Sequence, residues 1–352
     1  MEYKQEIEKL VSLVIQDNAS DLHLSEGRQP LVRVSGSLVP LVKQPVLTAA
    51  DMQGFIGAFL NDDNKARLER DRNVDFSYSM STSRFRGNAY YKQGTLSIAL
   101  RLIPKKVKTL AELNLPPILE TFTRKQQGFF LCVGPIGQGK STTLAALIQM
   151  INETRAEHIL TIEDPIEYIY ESKKSIIDQR EILVDTPDFH SALTAMFRED
   201  IDVCLVGEMR DVNTISTAVT AAETGHLVFS TLHTNSASQT INRIIDSFPP
   251  NQQDQIRVQL AGSLTGIFSQ RLIPSIAGGL IPAYELLINN SAVSNLIREK
   301  RIHELNTVIE TSSSEGMIDM NRCLAELVRA GKITQEAAYQ NSSNPKNLER
   351  ML

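Results

Sequence analysis

Residues 129–151 combine three patterns in immediate succession, and no other stretch limits the possible folds of this chain as strongly. Residues 129–133 are continuously apolar, the next ten read GPIGQGKSTT, and apolar residues then recur at helical spacing up to 151. A buried strand that passes through a glycine loop into a helix is the context of a phosphate-binding loop. Glycines let backbone N–H groups converge on an anion, and the helix N-terminus adds partial positive charge. The stretch therefore predicts an α/β domain that binds phosphate.

The loop also supplies two side chains with definite chemistry. Lys140 provides a cation for the outer phosphates of a nucleotide, and the Ser141 hydroxyl is a suitable ligand for Mg²⁺. The alternative, a glycine-rich turn that binds nothing, is disfavoured by the flanking strand and helix patterns. The predicted nucleotide-binding residues of the loop are Gly134, Pro135, Ile136, Gly137, Gln138, Gly139, Lys140, Ser141 and Thr142.

Composition narrows the functional classes. A chain of 352 residues predicts two or three domains, and a net charge of −5 argues against a broad nucleic-acid footprint. The three cysteines are far apart, so neither a zinc ribbon nor a disulfide framework is indicated. The N-terminus does not resemble a signal peptide, and no apolar window is long enough to span a membrane. We therefore expect a cytoplasmic protein without a transmembrane segment.

The first hundred residues predict a mixed α+β region. The pattern indicates a helix over 2–16, a strand over 21–24, a hairpin around Ser35, helical structure over 48–70 and strands over 74–103. Three arginines fall in the last of these segments: Arg84, Arg86 and Arg101. Arg84 and Arg86 are two residues apart and should share one face of a strand. From spacing alone, a solvated basic strand edge is favoured over arginines that approach a phosphate.

Strands and helices alternate from 128 to about 290, which predicts a mainly parallel sheet. Three apolar strand patterns each deliver a polar residue at or just after the carboxyl end, namely Glu163, Glu208 and His233. Ligands bind at the carboxyl ends of such strands, where the phosphate loop also lies. Beyond 290 the pattern is helical and charged.

ATP hydrolysis needs an oriented water and a metal in addition to the phosphate cradle. Glu163 and Glu208 are both candidates for activating the water, while Asp164 and Asp202 compete for the metal-linked role. His226 and His233 flank the third strand, where a histidine could sense the γ-phosphate. A mechanochemical ATPase and a slowly hydrolysing nucleotide switch both remain open. A nucleic-acid translocase is less favoured because the chain is acidic and lacks tryptophan.

Four motifs in family order resemble the secretion ATPase superfamily, and within it the PilT group of type IV pilus retraction (twitching motility) ATPases. The resemblance also includes the N-terminal signature ASDLHL at 19–24. The motifs are the Walker A loop 134–143, an aspartate box at 162–168, a Walker B segment at 205–211 and a histidine box at 222–234. This resemblance implies a PAS-like α+β domain (1–103), a linker (104–110), a RecA-like P-loop domain (111–290) with a mainly parallel sheet, and a helical C-terminal region (291–352).

The resemblance also implies a function and a site. It implies a homohexameric motor, using ATP and Mg²⁺, that retracts pili by acting on the inner-membrane platform protein from the cytoplasmic side at the pilus base. A retraction-accessory paralogue or a slowly hydrolysing regulatory ATPase is the alternative.

The resemblance also assigns roles to individual residues. It implies that Glu163 is the catalytic base, that Glu208 supports metal and water, and that His233 lies near the γ-phosphate. Arg84, Arg86 and Arg101 become phosphate ligands, some from a neighbouring domain. Ile136 and Gln138 replace the usual Thr and Ser, and we expect both to contribute mainly through their backbone, so that phosphate binding is retained.

Overall fold

The computed structural model describes residues 2–17, 19–34, 36–80, 83–103 and 106–352. The chain forms two compact units, Met1–Lys106 with Glu167–Ile169, and Val107–Ile166 with Tyr170–Leu352. Ser35 of the predicted hairpin and residues 104–105 of the predicted linker lie outside the described residues. Among the described residues, no helix is both long enough and apolar enough to cross a membrane.

The first unit is an antiparallel sheet with helices on its apolar face. Its helices are α1 (Glu2–Gln16), α2 (Ala49–Phe59) and α3 (Asp62–Asp71), and its strands are β1 (Asp21–Ser25), β2 (Leu31–Val34), β3 (Ser37–Pro40), β4 (Asn73–Met80), β5 (Ser83–Lys92) and β6 (Thr95–Ile103). The strand order is β3-β2-β1-β6-β5-β4. Alternation places Leu22, Phe85 and Leu100 in a core shared with Val11 and Phe55.

The secondary-structure predictions for this unit hold with one refinement. The first helix, the strands and the hairpin are confirmed, but the helical stretch over 48–70 is two helices. The helix is interrupted at Leu60, whose backbone is extended. A new helix, α3, begins after Asn61, whose side chain caps it by accepting a hydrogen bond from the Asn64 N–H at 2.9 Å.

The second unit is a seven-stranded sheet covered by helices. Its strands are β7 (Gly128–Val133), β8 (His158–Glu163), β9 (Ile176–Glu181), β10 (Val203–Val206), β11 (Leu227–Leu232), β12 (Leu264–Pro274) and β13 (Leu280–Ile288). Its helices are α4 (Glu120–Thr123), α5 (Lys140–Thr154), α6 (Phe189–Met196), α7 (Val212–Glu223), α8 (Ala237–Asp246), α9 (Pro250–Ser263), α10 (Ser291–Arg298), α11 (Leu305–Thr311), α12 (Met320–Arg329), α13 (Gln335–Asn341) and α14 (Pro345–Met351).

The mainly parallel sheet predicted from the sequence is confirmed. The strand order is β13-β12-β7-β11-β10-β8-β9, and only the β12–β13 pair is antiparallel. Every residue of β7, β10 and β11 is buried, as expected for central strands with helices on both faces. The carboxyl ends of β7, β11, β10 and β8 therefore lie side by side at one edge.

The C-terminal helices pack on the β12–β13 hairpin. Ile273 and Ala283 of the hairpin share a core with Leu324 of α12 and Leu348 of α14. Hydrogen bonds hold the polar segment before α14. Asn344 caps α14, and its carbonyl accepts a hydrogen bond from Asn321 at 3.1 Å.

The first unit offers a paired test of its packing. Gly87 lies opposite Phe76 in the β4–β5 pair, and an added Cβ there would overlap the Phe76 ring. We expect Gly87→Ala to lower the free energy of unfolding by about 1–3 kcal/mol, because the buried ring must move. Urea unfolding of the full chain measures the change.

The matched control for this substitution is Gly57→Ala. Gly57 lies in α2, where an added Cβ meets no atom within 4 Å. This substitution should raise the free energy of unfolding by up to about 1 kcal/mol, since alanine favours a helix over glycine. Equal effects of the two substitutions would contradict the packing described here.

Candidate functional site

The phosphate loop joins the carboxyl end of β7 to the N-terminus of α5. Gly134, Gly137 and Gly139 have positive φ values of 147°, 78° and 77°. Residues that carry a Cβ rarely adopt such backbone angles. Gly139 immediately precedes the helix, which begins at Lys140. The backbone therefore curls as the sequence predicts, and it places the first N–H groups of α5 at the loop.

The Lys140 ammonium is buried at the centre of this loop. Its Nζ donates to the carbonyl oxygens of Gly134 at 2.7 Å and Pro135 at 2.9 Å. It also lies 3.2 Å from the Nδ1 atom of His233. Only 7% of the residue is exposed. Because these carbonyls are neutral acceptors, an incoming phosphate oxygen would compete effectively for the same ammonium protons.

The structure brings His233 and Glu208 to the same place. His233 follows β11 directly, and its Nε2 atom lies 3.7 Å from a carboxylate oxygen of Glu208, which follows β10. The imidazole therefore connects Lys140 to Glu208, one contact on each ring nitrogen. Glu208 also contacts the guanidinium of Arg210, whose side chain is mostly exposed.

Glu163 ends β8 beside these groups. Its Oε1 atom accepts a hydrogen bond from the Thr161 hydroxyl at 2.7 Å and lies 3.4 Å from the Gln179 amide nitrogen. Gly207 allows a close approach of the two strand ends, because its N–H donates to the Ile162 carbonyl at 2.8 Å and an added Cβ would lie only 3.2 Å from that carbonyl oxygen. Glu163 and Glu208 are thus fixed on adjacent strand ends. Asp164 follows Glu163 at the same edge.

Two residues considered from the sequence lie at the opposite edge of the sheet. Asp202 precedes β10, where its carboxylate accepts the His158 N–H at 2.8 Å, so the proposed metal-linked role for Asp202 is wrong. His226 precedes β11, with its Nδ1 atom 3.0 Å from the Ala221 carbonyl and its ring edge-on to Phe197. Both face the amino ends of strands, away from the loop.

The predicted magnesium ligands are oxygen donors of the kind this metal prefers. Ser141 is the second residue of α5, and Glu208 lies at the neighbouring strand end. Within the described part of the chain, no group of three or more His, Cys, Asp or Glu side chains forms a ready-made metal cluster. A single hydroxyl with one carboxylate fits Mg²⁺, which keeps several waters and shares phosphate oxygens, better than it fits a protein-caged metal.

The three candidate arginines lie on the polar face of the first sheet. Arg86 is directly opposite Arg101, and Arg84 shares their face, as predicted from its spacing. Because β5 and β6 are interior strands, the interpretation of these residues as a basic strand edge is wrong. Arg101 donates from Nε to Asp21 at 2.9 Å. Burial alone would raise the pKa of Asp21, but hydrogen bonds from Ser20 and Arg101 outweigh it and lower that pKa.

Two residues of the β12–β13 hairpin contact the site, and the sequence analysis did not predict either of them. Gln270 contacts the phosphate loop. Glu285 accepts the Ala237 N–H at 2.7 Å, at the start of the helix that follows the His233 segment. An acid within the apolar run 280–288 was the available signal for Glu285. Burial raises its pKa to about 7, although the Ala237 hydrogen bond acts in the opposite direction.

The chain has close relatives over its full length. Residues 2–350 match the family described as type II/IV secretion system protein. The chain is 42% identical to the type IV pilus retraction ATPase PilT of Pseudomonas aeruginosa, covering 97% of this chain and 99% of that protein. It is 44% identical to a twitching motility protein of Neisseria gonorrhoeae over 91% of this chain and 86% of that one. A crystal structure of the pilus retraction motor PilT with bound ADP aligns with a TM-score of 0.91 and 45% identity, covering 97% and 98% of the two chains.

The raised pKa of Glu285 predicts a pH-dependent stability. Between its ordinary pKa of 4.5 and the folded value of about 7, the unfolded chain releases this proton and the folded chain retains it. Stability therefore falls as pH rises through this range, and the full cost is present above pH 7. Glu285→Gln keeps the acceptor for Ala237 and removes the titration. The free energy of unfolding of Glu285→Gln, minus that of the unmodified chain, should rise by about 2 kcal/mol from pH 5 to pH 8.

Urea unfolding at four pH values between 5 and 8 measures this difference. Glu336→Gln on the exposed surface of α13 is the control for the loss of one carboxylate. A stability difference for Glu285→Gln that stays constant across the range would contradict the prediction.

Proposed function

Because this chain belongs to the type II/IV secretion system protein family, and within it to the pilus retraction ATPases, we propose that it hydrolyses ATP to power retraction of type IV pili. The observation that carries the proposal is the chain of contacts from Lys140 through His233 to Glu208, beside Glu163 and at the mouth of the phosphate loop. A cradle, a buried cation and two acids on neighbouring strand ends are the components that phosphoryl transfer from ATP requires.

We assign a role in ATP hydrolysis to each of the polar residues at the carboxyl ends of the parallel strands. The loop from Gly134 to Thr142 would bind the phosphates through its N–H groups, with Lys140 moving from the Gly134 and Pro135 carbonyls to the β- and γ-phosphates. Mg²⁺, when bound, neutralises charge between these phosphates. Ser141 would hold it directly, and Glu208 partly through water.

The remaining two residues act on the attacking water and on the γ-phosphate. Glu163, oriented by Thr161 and Gln179, would accept the proton of the attacking water. His233 would contact the γ-phosphate and report its presence to Glu208, since one ring nitrogen faces Lys140 and the other faces that carboxylate.

Arg84, Arg86 and Arg101 are proposed to bring further positive charge to the phosphates, in the same copy or from a neighbouring one. The support is that all three share one face of the sheet and that Arg86 lies directly opposite Arg101, which places two like charges side by side. Transition states of phosphoryl transfer are commonly stabilised by arginine in addition to the loop lysine.

We further propose that the protein works as a homohexamer at the cytoplasmic side of the inner membrane, on the platform protein at the pilus base. Full-length similarity to a pilus retraction motor supports this assignment. An accessory retraction ATPase is the second candidate that the same family similarity allows.

The test of the function is ATP hydrolysis measured against protein concentration, with molecular mass determined by light scattering on the same samples. We expect specific activity to rise as a ring assembles, because arginines from neighbouring copies would complete the site. Lys140→Ala, which lacks the loop cation, is the inactive control. Full activity in a monomer at every concentration would contradict the ring. An assembled ring without hydrolysis would contradict the motor and favour the accessory candidate.

Glu163→Gln tests the catalytic base. The amide should leave ATP binding intact and slow hydrolysis by about 10²–10⁴-fold, since a general base contributes roughly this factor. Glu157→Gln, at the residue that precedes the amino end of the same strand, is the matched control and should retain activity. Unchanged turnover in Glu163→Gln would transfer the base role to Glu208.

A further inference from the structure

The side chains of two consecutive residues of β12 lie on opposite faces of the sheet, and each contacts a different part of the candidate site. The Ser269 hydroxyl donates to the Asn235 carbonyl at 3.0 Å, in the segment between His233 and α8. Gln270, on the other face of the strand, reaches the phosphate loop. Both residues are almost fully buried, with 1% and 3% of their surface exposed.

The Gln270 carboxamide uses both its donor and its acceptor on the nucleotide side of the sheet. Its Nε2 atom donates to the carbonyl oxygen of Gln138 in the loop at 2.8 Å. Its Oε1 atom accepts from the hydroxyl of Thr143, in the first turn of α5, at 2.6 Å. A carboxamide presents donor and acceptor in one plane, so this side chain fixes the spacing between the loop and its helix.

A second connection runs from the loop back to the strand. The side-chain Oε1 of Gln138 accepts the Leu272 N–H at 2.7 Å. At the start of the loop, a Cβ on Gly134 would overlap the carbonyl oxygen of Gln270. Residues at the beginning, the middle and the end of the cradle thus all contact one short segment of β12. Gln138 thus adds a side-chain contact with β12 to the mainly backbone contribution that the sequence predicts for it.

We propose that Gln270 is a positioning residue for nucleotide binding, holding the loop in its curled form before a phosphate arrives. The inference rests on the nucleotide binding proposed above. A loop that is already ordered loses less conformational entropy when it binds, so preorganisation increases affinity. The two carboxamide hydrogen bonds go to the loop and to α5, and not to the acids at the ends of β8 and β10. Loss of Gln270 should therefore weaken binding far more than it slows hydrolysis of bound ATP.

A buried glutamine could also serve stability alone, and the control is chosen to separate the two roles. Asn152 lies at the far end of the same helix and is fully buried. Its carboxamide likewise uses both ends, donating to the Glu171 carbonyl at 2.8 Å and accepting the Lys173 N–H at 2.9 Å. Asn152→Leu and Gln270→Met are equivalent changes, each replacing a carboxamide by an apolar side chain of similar size, a hydrocarbon at 152 and a thioether at 270.

The experiment compares these variants in steady-state ATP hydrolysis, in binding of a fluorescent N-methylanthraniloyl-ADP, and in thermal unfolding. Gln270→Met should raise KM for ATP and Kd for the ADP probe about tenfold, because two buried partners lose their hydrogen bonds. Its kcat should stay within about threefold of the unmodified chain. Asn152→Leu should lower the melting temperature similarly while leaving KM and Kd unchanged.

Gln138→Met is the second variant, because water reaches this half-buried loop position and its substitution threatens folding less than that of the buried Gln270. It removes the acceptor for the Leu272 N–H, and it should raise KM about threefold while lowering the melting temperature less than Gln270→Met does. If Gln270→Met and Asn152→Leu affect KM equally, or if Gln270→Met lowers kcat and leaves KM unchanged, the positioning role is overturned. An unmodified chain that binds no ADP probe would overturn the proposed function itself, which is a distinct result.

Discussion

A buried cation is the constraint on which the second unit depends. The Lys140 ammonium cannot be buried without acceptors, and the carbonyls of Gly134 and Pro135 with the His233 ring provide them. These groups can meet only if β7 and β11 are neighbours that end at one edge, which parallel pairing ensures. The same pairing brings β10 and β8 alongside. The polar cluster is therefore a direct result of the sheet topology.

The antiparallel hairpin at the side of the sheet has a supporting role. Ser269, Gln270 and Glu285 hold, respectively, the segment after His233, the phosphate loop and the start of α8. The same hairpin carries α12 and α14 through a shared apolar core. The C-terminal helices thus pack on the same hairpin that makes these three contacts. Helical packing and site geometry are linked through β12 and β13.

Local patterns predicted the parts of this arrangement that local chemistry determines. The strand, loop and helix over 129–151 follow from short-range periodicity, and Glu163 and His233 follow from the rule that strand ends converge. The edge strand β9 and most of β12 escaped prediction because polar residues interrupt their apolar patterns. The side-chain contact of Gln138 depends on a partner more than a hundred residues away. Catalytic roles at Glu163, Glu208 and His233 stay predictions, since geometry alone does not assign them.

Gly207 has a mechanical consequence for the two acids. No side chain separates the end of β10 from the end of β8, and the Gly207 N–H binds the Ile162 carbonyl while the Thr231 hydroxyl binds the Gly207 carbonyl at 2.7 Å. The strand ends that carry Glu163 and Glu208 are consequently joined through backbone. We expect the two ends to be displaced together when this edge of the sheet moves, which would carry both acids in the same direction relative to the phosphates.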